Sequence, residues 1–506
     1  MRNEAFLDTA LACLSTPRET EIPYLRCLRL QKTDEGIHAE ETEKTPMKKG
    51  DKLVLDFGDH QVGYLSLRLG AVGSHPDAPL WLRIQFAEQP VELFERAEDY
   101  HGWISTGWIQ TEQLHLDVLP CTLHLPRRYA FRYAQIEVLD VSSKYRLTVE
   151  DAVCTAVSSA NDARLEPLDS GDPMLDRIDA VACRTLHNCM QRVFEDGPKR
   201  DRRLWLGDLR LQALANYRSY RNLDMVMGCL YLFAALPRED GLLSAAIFLE
   251  PEPEADDTFL LDYSILFTAA LLDYYHASGD LETLRELWPT AYRQLELVKA
   301  RLENGLIPDS SEIGWCFIDW SLDLNKQASM MGVYLYCLKA GQEIAGILHD
   351  PVRNELQAAW AEAADAVRSG LWDHQRQVFV SGENRQISWA SQVWMVLGGL
   401  CTADEASALF ARMEQTDAVG MITPYLYHHY VEALLQIGET EKALSVLRSY
   451  WGGMVEAGAD TFWELYNPEN PAESPYGGTI VNSYCHAWSC GPAYFLRRDR
   501  MGTEKK

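Results

Sequence analysis

The chain has 506 residues, 47% of them hydrophobic and 24% charged, with a formal net charge of −27. That length exceeds one compact core, so two or more domains are expected. The acidic balance argues against a nucleic-acid partner, and no stretch is apolar for long enough to span a membrane. The opening residues lack the apolar run of a signal peptide. The 12 cysteines show no metal-ligand spacing and scatter through apolar stretches such as those around Cys183, Cys229 and Cys337. A cytoplasmic protein with reduced thiols, no metal and no cofactor is the expectation, and the sequence leaves its oligomeric state open.

Residues 1–160 read as a β-domain. The runs 52–58, 63–70, 80–86, 113–119 and 133–139 alternate apolar and polar side chains, the mark of half-buried antiparallel strands. Glycine, proline or aspartate separates them, and the spacing predicts a β-sandwich that supports a pocket or adds to its rim. Trp103 and Trp108 offer a carbohydrate-binding role as one reading, and a place in the core, the more usual fate of tryptophans in a sandwich, as the other.

From 161 to 506 the grammar is helical. Period-3.6 patterns predict helices over 173–193, 206–221, 224–237, 258–278, 280–303, 326–347, 351–372, 387–400, 402–415, 424–437, 439–457 and 483–497. Twelve helices on short links predict six hairpins closed into an (α/α)6 barrel, whose loops line a funnel at one end. No fixed repeat favours a linear solenoid instead.

Four linking stretches carry chemistry. Phe194–Asp208 packs four carboxylates, four cations and Trp205 between two helices, with Gly197-Pro198 ending the first. A solvated loop with local ion pairs is the plain reading; the embedded indole favours a polar pocket floor. The others are 312–320 with Trp315, Asp319 and Trp320, 460–466 with Trp463 and Glu464, and 482–488 with His486. Each joins an aromatic ring to a carboxylate or an imidazole. Sugars offer apolar C–H faces for such rings and hydroxyls for such polar groups, so a small-molecule glycoside is the expected partner. Glycosidic cleavage further needs one protonated carboxyl and one ionised carboxylate around the scissile bond. The pair His428-His429 suits a core or rim better than a metal, because neighbouring helix positions face different ways. Asp256-Asp257 reads as a solvated loop. Asp262-Tyr263 reads equally as a helix cap or as a funnel residue.

Together these stretches resemble the bacterial α-L-rhamnosidases of glycoside hydrolase family 78. The run from Asp196 to Asp208 is similar to that family's Asp-Cys-Pro-Gln-Arg-Asp-Glu-Arg-Leu-Gly-Trp-Thr-Gly-Asp signature. Asp319-Trp320, the stretch 458–464, the stretch 482–486, and Asp56-Phe57-Gly58 with Val62-Gly63 resemble further family segments. The resemblance implies a β-sandwich before an (α/α)6 barrel, and an exo-acting, inverting hydrolase that uses no metal. It implies Glu464 as the general base, and Asp196, Arg200, Asp208, Trp205 and His486 as sugar contacts. The family's general acid is the glutamate of Asp-Glu-Arg, where this chain reads Asp201-Arg202-Arg203. Aligning back from Trp205 leaves a one-residue deletion there, so Asp201 or Asp208 must donate the proton, with Glu195 and Asp319 as further candidates.

Two other functions stay open at this point. The cluster Lys199, Arg200, Arg202 and Arg203 suits the carboxylate of a uronic acid, hence a hydrolase or lyase on the same barrel. Loss of the acid would instead leave a non-catalytic sugar-binding protein.

Overall fold

The computed structural model describes residues 2–34, 36–309, 315–470 and 473–498. Glu312, Ile313 and Gly314 of the second chemical stretch lie outside them.

The β-rich half is built around one strand, Lys52–Gly73, which merges the two expected runs 52–58 and 63–70. Its alternation buries Leu65, Leu67 and Leu69 and leaves Tyr64 and Arg68 exposed. The expected break survives as a bulge. Gly58 takes a φ of 86°, and the Asp56 carboxylate accepts its N–H at 2.9 Å. Before the bulge the strand pairs with Arg26–Thr33 and Tyr129–Asp140; beyond it the second pairing continues only to Gly63, where Tyr145–Ser158 takes over, with Cys121–His124 alongside. Strand sharing of this kind joins nine strands into one continuously hydrogen-bonded sheet, over a core that includes Leu55, Leu82, Phe131 and Ile136. Three 3-10 turns, Pro90–Phe94, Ala97–Asp99 and Thr106–Trp108, lie between Leu80–Ala87 and Thr111–Leu116. Residues 4–13, read as part of the β-domain, form a helix instead. It packs on Leu223–Ala235 of the helical half, with Phe6 edge-on to Tyr231 at 5.4 Å.

The expected helices appear within a few residues of their predicted ends. Polar caps set the starts: Asp172 accepts the N–H groups of Met174 and Leu175 ahead of Pro173, and Thr423 accepts that of Leu426 ahead of Pro424. Each such cap contributes about 1 kcal/mol. The exception is 483–497, where helix begins only near Ala487 and residues 482–486 run extended. The closing helix Gly491–Phe495 packs against Pro173–Cys189 and Leu206–Arg218, so the end of the helical half meets its beginning. Apolar side chains from nearly all these helices form a single core. His428 and His429 are buried in this half, and burial pushes both imidazoles well below their usual range, His429 to about 4. All twelve cysteines are free thiols. No described helix is long and apolar enough to cross a membrane.

Buried polar bonds seam the two halves along the chemical loops. Lys199 is paired with Glu92 and donates to the Asn482 carbonyl at 2.8 Å. Glu88 accepts from the Tyr484 N–H at 2.7 Å and lies 2.9 Å from His60. Breaking such a buried pair leaves an uncompensated charge, at a cost of roughly 3–5 kcal/mol. The seam therefore holds the loops of the helical half to the β-rich half.

Candidate active site

The loop from Asp196 to Asp208 is tied at its neck. The Asp196 N–H donates to the Arg203 carbonyl at 3.0 Å, and the Arg203 N–H donates to the Asp196 carboxylate at 3.0 Å. Inside that neck Asp201 and Arg202 both take left-handed backbone, with φ of 60° and 53°. Such conformations cost a non-glycine residue on the order of 1–3 kcal/mol each and persist only where the surroundings enforce them. Here the enforcement comes from Lys199 on one flank and from Arg200, whose Nε donates to the Val481 carbonyl at 2.9 Å. The result turns the Asp201 carboxylate toward an open cavity. Trp205 then pairs as a strand residue with Ala246, and Asp208 opens the helix Leu206–Arg218. Gly207 is required there, since a Cβ would lie 2.4 Å from the Tyr263 ring.

The cavity measures about 280 Å³. Asp196, Arg200, Asp201, Trp205 and Asp208 line it from the loop, and Glu464, His486 and Trp488 from the chain's far end. Tyr263, Phe317, Trp320 and Tyr476 supply aromatic walls, and Trp103 and Ile104 reach in from the β-rich half. Segments more than 250 residues apart in sequence thus meet in one site, as the 264-residue separation of Arg200 and its partner Glu464 records.

Two charge patterns divide it. Glu464 is ion-paired with Arg200, and the Tyr476 hydroxyl donates to its other oxygen at 2.6 Å. The Arg200 guanidinium lies 4.0 Å above the Tyr476 ring, which completes a rigid triad. A carboxylate so held keeps lone pairs free for a water. The second pattern is Asp196, Asp201 and Asp208, of which Asp201 also lies 3.8 Å from Arg200. Burial raises Asp196 well above the usual carboxylate range, and the charges of Asp201 and Asp208 add to it. Burial also raises Asp208, against its contact with His486 Nε2 at 3.1 Å and with the charge of Glu464 pushing the same way. Asp196 and Asp208 therefore both hold their protons to higher pH than an ordinary carboxyl.

Several expected contacts lie elsewhere. Arg202 points away from the cavity into a groove with Arg128 and Tyr64, and its Nη2 donates to the Arg128 carbonyl at 2.9 Å. Its left-handed backbone accompanies this outward course. Asp319 is a structural clamp: it accepts the N–H groups of Trp320, Ile422 and Thr423 and the Thr423 hydroxyl, fixing the helix that starts at Pro424. Trp463 packs edge-on to Tyr466 and Tyr484 in the core, and the Trp315 ring packs against that core while its carbonyl accepts the Leu261 N–H. Glu195 is bound to Arg128 at 2.7 Å. Asp256, read as solvated, is buried against Arg203 at 2.9 Å. Asp262 accepts the N–H groups of Phe317 and Ile318 and so positions that wall, while its neighbour Tyr263 faces the funnel.

Tyr476 and Phe317 were not singled out in the sequence, and Trp103 was named there with a core place as its first reading. Phe317 sat inside a marked stretch; Tyr476 and Trp103 lie in segments without periodicity, where only tertiary contact reveals them. Among the described residues no group of three or more His, Cys, Asp and Glu side chains is placed to hold a metal ion.

Residues 25–156 match the N-terminal domain of glycosyl hydrolase family 78 α-rhamnosidases, and residues 164–499 match the six-hairpin glycosidase domain of bacterial α-L-rhamnosidases. A search of curated proteins gave no match. Among solved structures, a rhamnosidase from Klebsiella oxytoca with rhamnose bound is 44% identical, with 98% of this chain and 99% of that one covered and a TM-score of 0.96. The family 78 rhamnosidase of Bacillus sp. GL1 is 20% identical, with 91% of this chain and 49% of that one covered and a TM-score of 0.76; at that identity it speaks for the fold alone. The chain therefore belongs to the bacterial α-L-rhamnosidases of glycoside hydrolase family 78, a glycosidase family with a six-hairpin domain.

Proposed function

We propose that this cavity removes a terminal α-L-rhamnose from small glycosides, with Glu464 as general base, Asp201 as general acid and inversion at the anomeric carbon. The helical half then closes as an (α/α)6 barrel with the cavity at its mouth, and the β-rich half acts as a sandwich-like support. The observation that carries the reading is the placing of Glu464 and Asp201 on two sides of the Arg200 guanidinium within one cavity. Inversion needs room for a water, a carboxyl separation of about 6.5–9.5 Å.

Asp201 is favoured over Asp208 as the donor by exposure. Its side chain is 28% accessible against 3% for Asp208, and the departing group must lie toward solvent. Asp196, Asp208 and His486 are left to hold sugar hydroxyls. The apolar walls Leu260, Tyr263 and Phe317 suit the methyl group of a 6-deoxy sugar. Support comes also from the rhamnose-bound relative.

The uronic-acid reading loses its basis, because Lys199, Arg200 and Arg203 are each paired with a protein carboxylate and Arg202 faces another groove. A panel of 4-nitrophenyl glycosides tests the proposal: release of nitrophenol from the α-L-rhamnoside at least about tenfold faster than from glucoside, galactoside, mannoside and glucuronide is expected. Preference for another sugar refutes the assignment, and binding of rhamnose without turnover returns the protein to the sugar-binding class.

A further inference from the structure

The β-rich half contributes one side chain to the cavity that packing does not explain. Trp103 is 67% exposed, against the more usual core place of a sandwich tryptophan. Among the described residues, it is the one strongly exposed large apolar side chain that also lines the cavity. It is not loosely held. Its Nε1 donates to the Pro475 carbonyl at 2.9 Å, and its ring lies 5.3 Å from that of Tyr476. The turn beneath is anchored as well: the Tyr100 hydroxyl donates to the Tyr476 carbonyl at 2.7 Å, and the chain passes so close at Gly102 that a Cβ would lie 1.9 Å from the same oxygen.

An indole whose N–H is satisfied and whose position is fixed presents a bare face and no other chemistry. Its exposure places it at the cavity mouth, outside the buried groups Asp196, Asp208 and Glu464. A terminal sugar bound among those groups has its leaving group on the mouth side, since only there does the cavity open. We infer that Trp103 is the platform of a leaving-group subsite, which selects glycosides whose departing group is a flat ring with an apolar face. An aromatic ring and the C–H face of a second sugar share that chemistry. The inference rests on the rhamnosidase reading, and it makes the β-rich half a determinant of specificity in addition to a support.

The test compares phenyl, glucosyl and methyl α-L-rhamnosides in the wild type, Trp103→Ala and Trp103→Phe. Trp103→Ala is expected to lower the ratio of kcat/KM for the phenyl glycoside to that for the methyl glycoside about tenfold, mainly through KM, and Trp103→Phe to restore most of it. A similar fall for the glucosyl compound extends the platform to sugar rings, and its absence restricts the platform to aromatic groups. Equal losses on the phenyl and methyl compounds overturn the inference. Calorimetry with the uncleaved phenyl and methyl 1-thio-α-L-rhamnosides reads the same platform without turnover. If the wild type hydrolyses none of the glycosides, the rhamnosidase reading fails. The platform then stands or falls on whether Trp103→Ala weakens the phenyl thioglycoside more than the methyl one.

Discussion

Glu464→Gln is expected to lower kcat by about 10²–10⁴ on every rhamnoside, whatever its leaving group, because an amide cannot take the proton of the attacking water. The same change removes the nearer carboxylate of Arg200, whose side chain is 4% exposed, and leaves it only Asp201 at 3.8 Å. Breaking a buried pair costs roughly 3–5 kcal/mol, so the variant should also melt at a lower temperature. Assays well below that melting point separate the two effects. Retained rhamnose affinity with lost turnover assigns the loss to chemistry. Turnover within about threefold of the wild type would remove Glu464 from the base role.

Asp201→Asn carries the second large effect, and its signature is selectivity. A general acid matters in proportion to how badly the leaving group needs a proton. Loss of about 10²–10⁴ in kcat is expected for a methyl rhamnoside, and much less for the 2,4-dinitrophenyl compound, whose phenolate departs unaided. Burial and neighbouring charge raise Asp196 and Asp208, so their carboxyls stay protonated to higher pH than ordinary ones. Sugar contacts that rely on those protons should weaken as pH rises through a range above the usual carboxylate value of about 4, which rhamnose affinity measured against pH reads. If Asp208→Asn shows the leaving-group dependence and Asp201→Asn does not, the two roles must be exchanged.

Much of the helical half was legible because its determinants are local. Apolar periodicity, the caps Asp172 and Thr423, and the prolines that follow them are read along the chain, and the helices begin where they point. Strand pairing was less legible: whether 52–58 and 63–70 are two strands or one depends on the φ of Gly58 and on the hydrogen bond Asp56 offers it. The site divided the same way. Residues that line the cavity, such as Glu464, Asp208 and His486, were found through motif and chemical type. Motif alone does not tell a sugar contact from a scaffold contact. Asp319 has the chemistry of a ligand for hydroxyls, yet four donors from its own loop and from the Ile422-Thr423 turn occupy it. Arg202, on a backbone with φ of 53°, runs out of the cavity that Asp201 enters. Tyr476 and Trp103 carry no local signal, because each gains its role from a segment hundreds of residues away: Tyr476 sits 376 residues from the Tyr100 hydroxyl that pins it.

The account turns on a water activated by Glu464 attacking the face opposite the departing oxygen. Proton NMR of the first rhamnose released from an α-L-rhamnoside, recorded before mutarotation, reads that directly. β-L-rhamnose as the first-formed anomer is predicted. α-L-rhamnose appearing first would mean that a carboxylate forms a covalent intermediate, and would contradict the pairing of Glu464 with Asp201 described above.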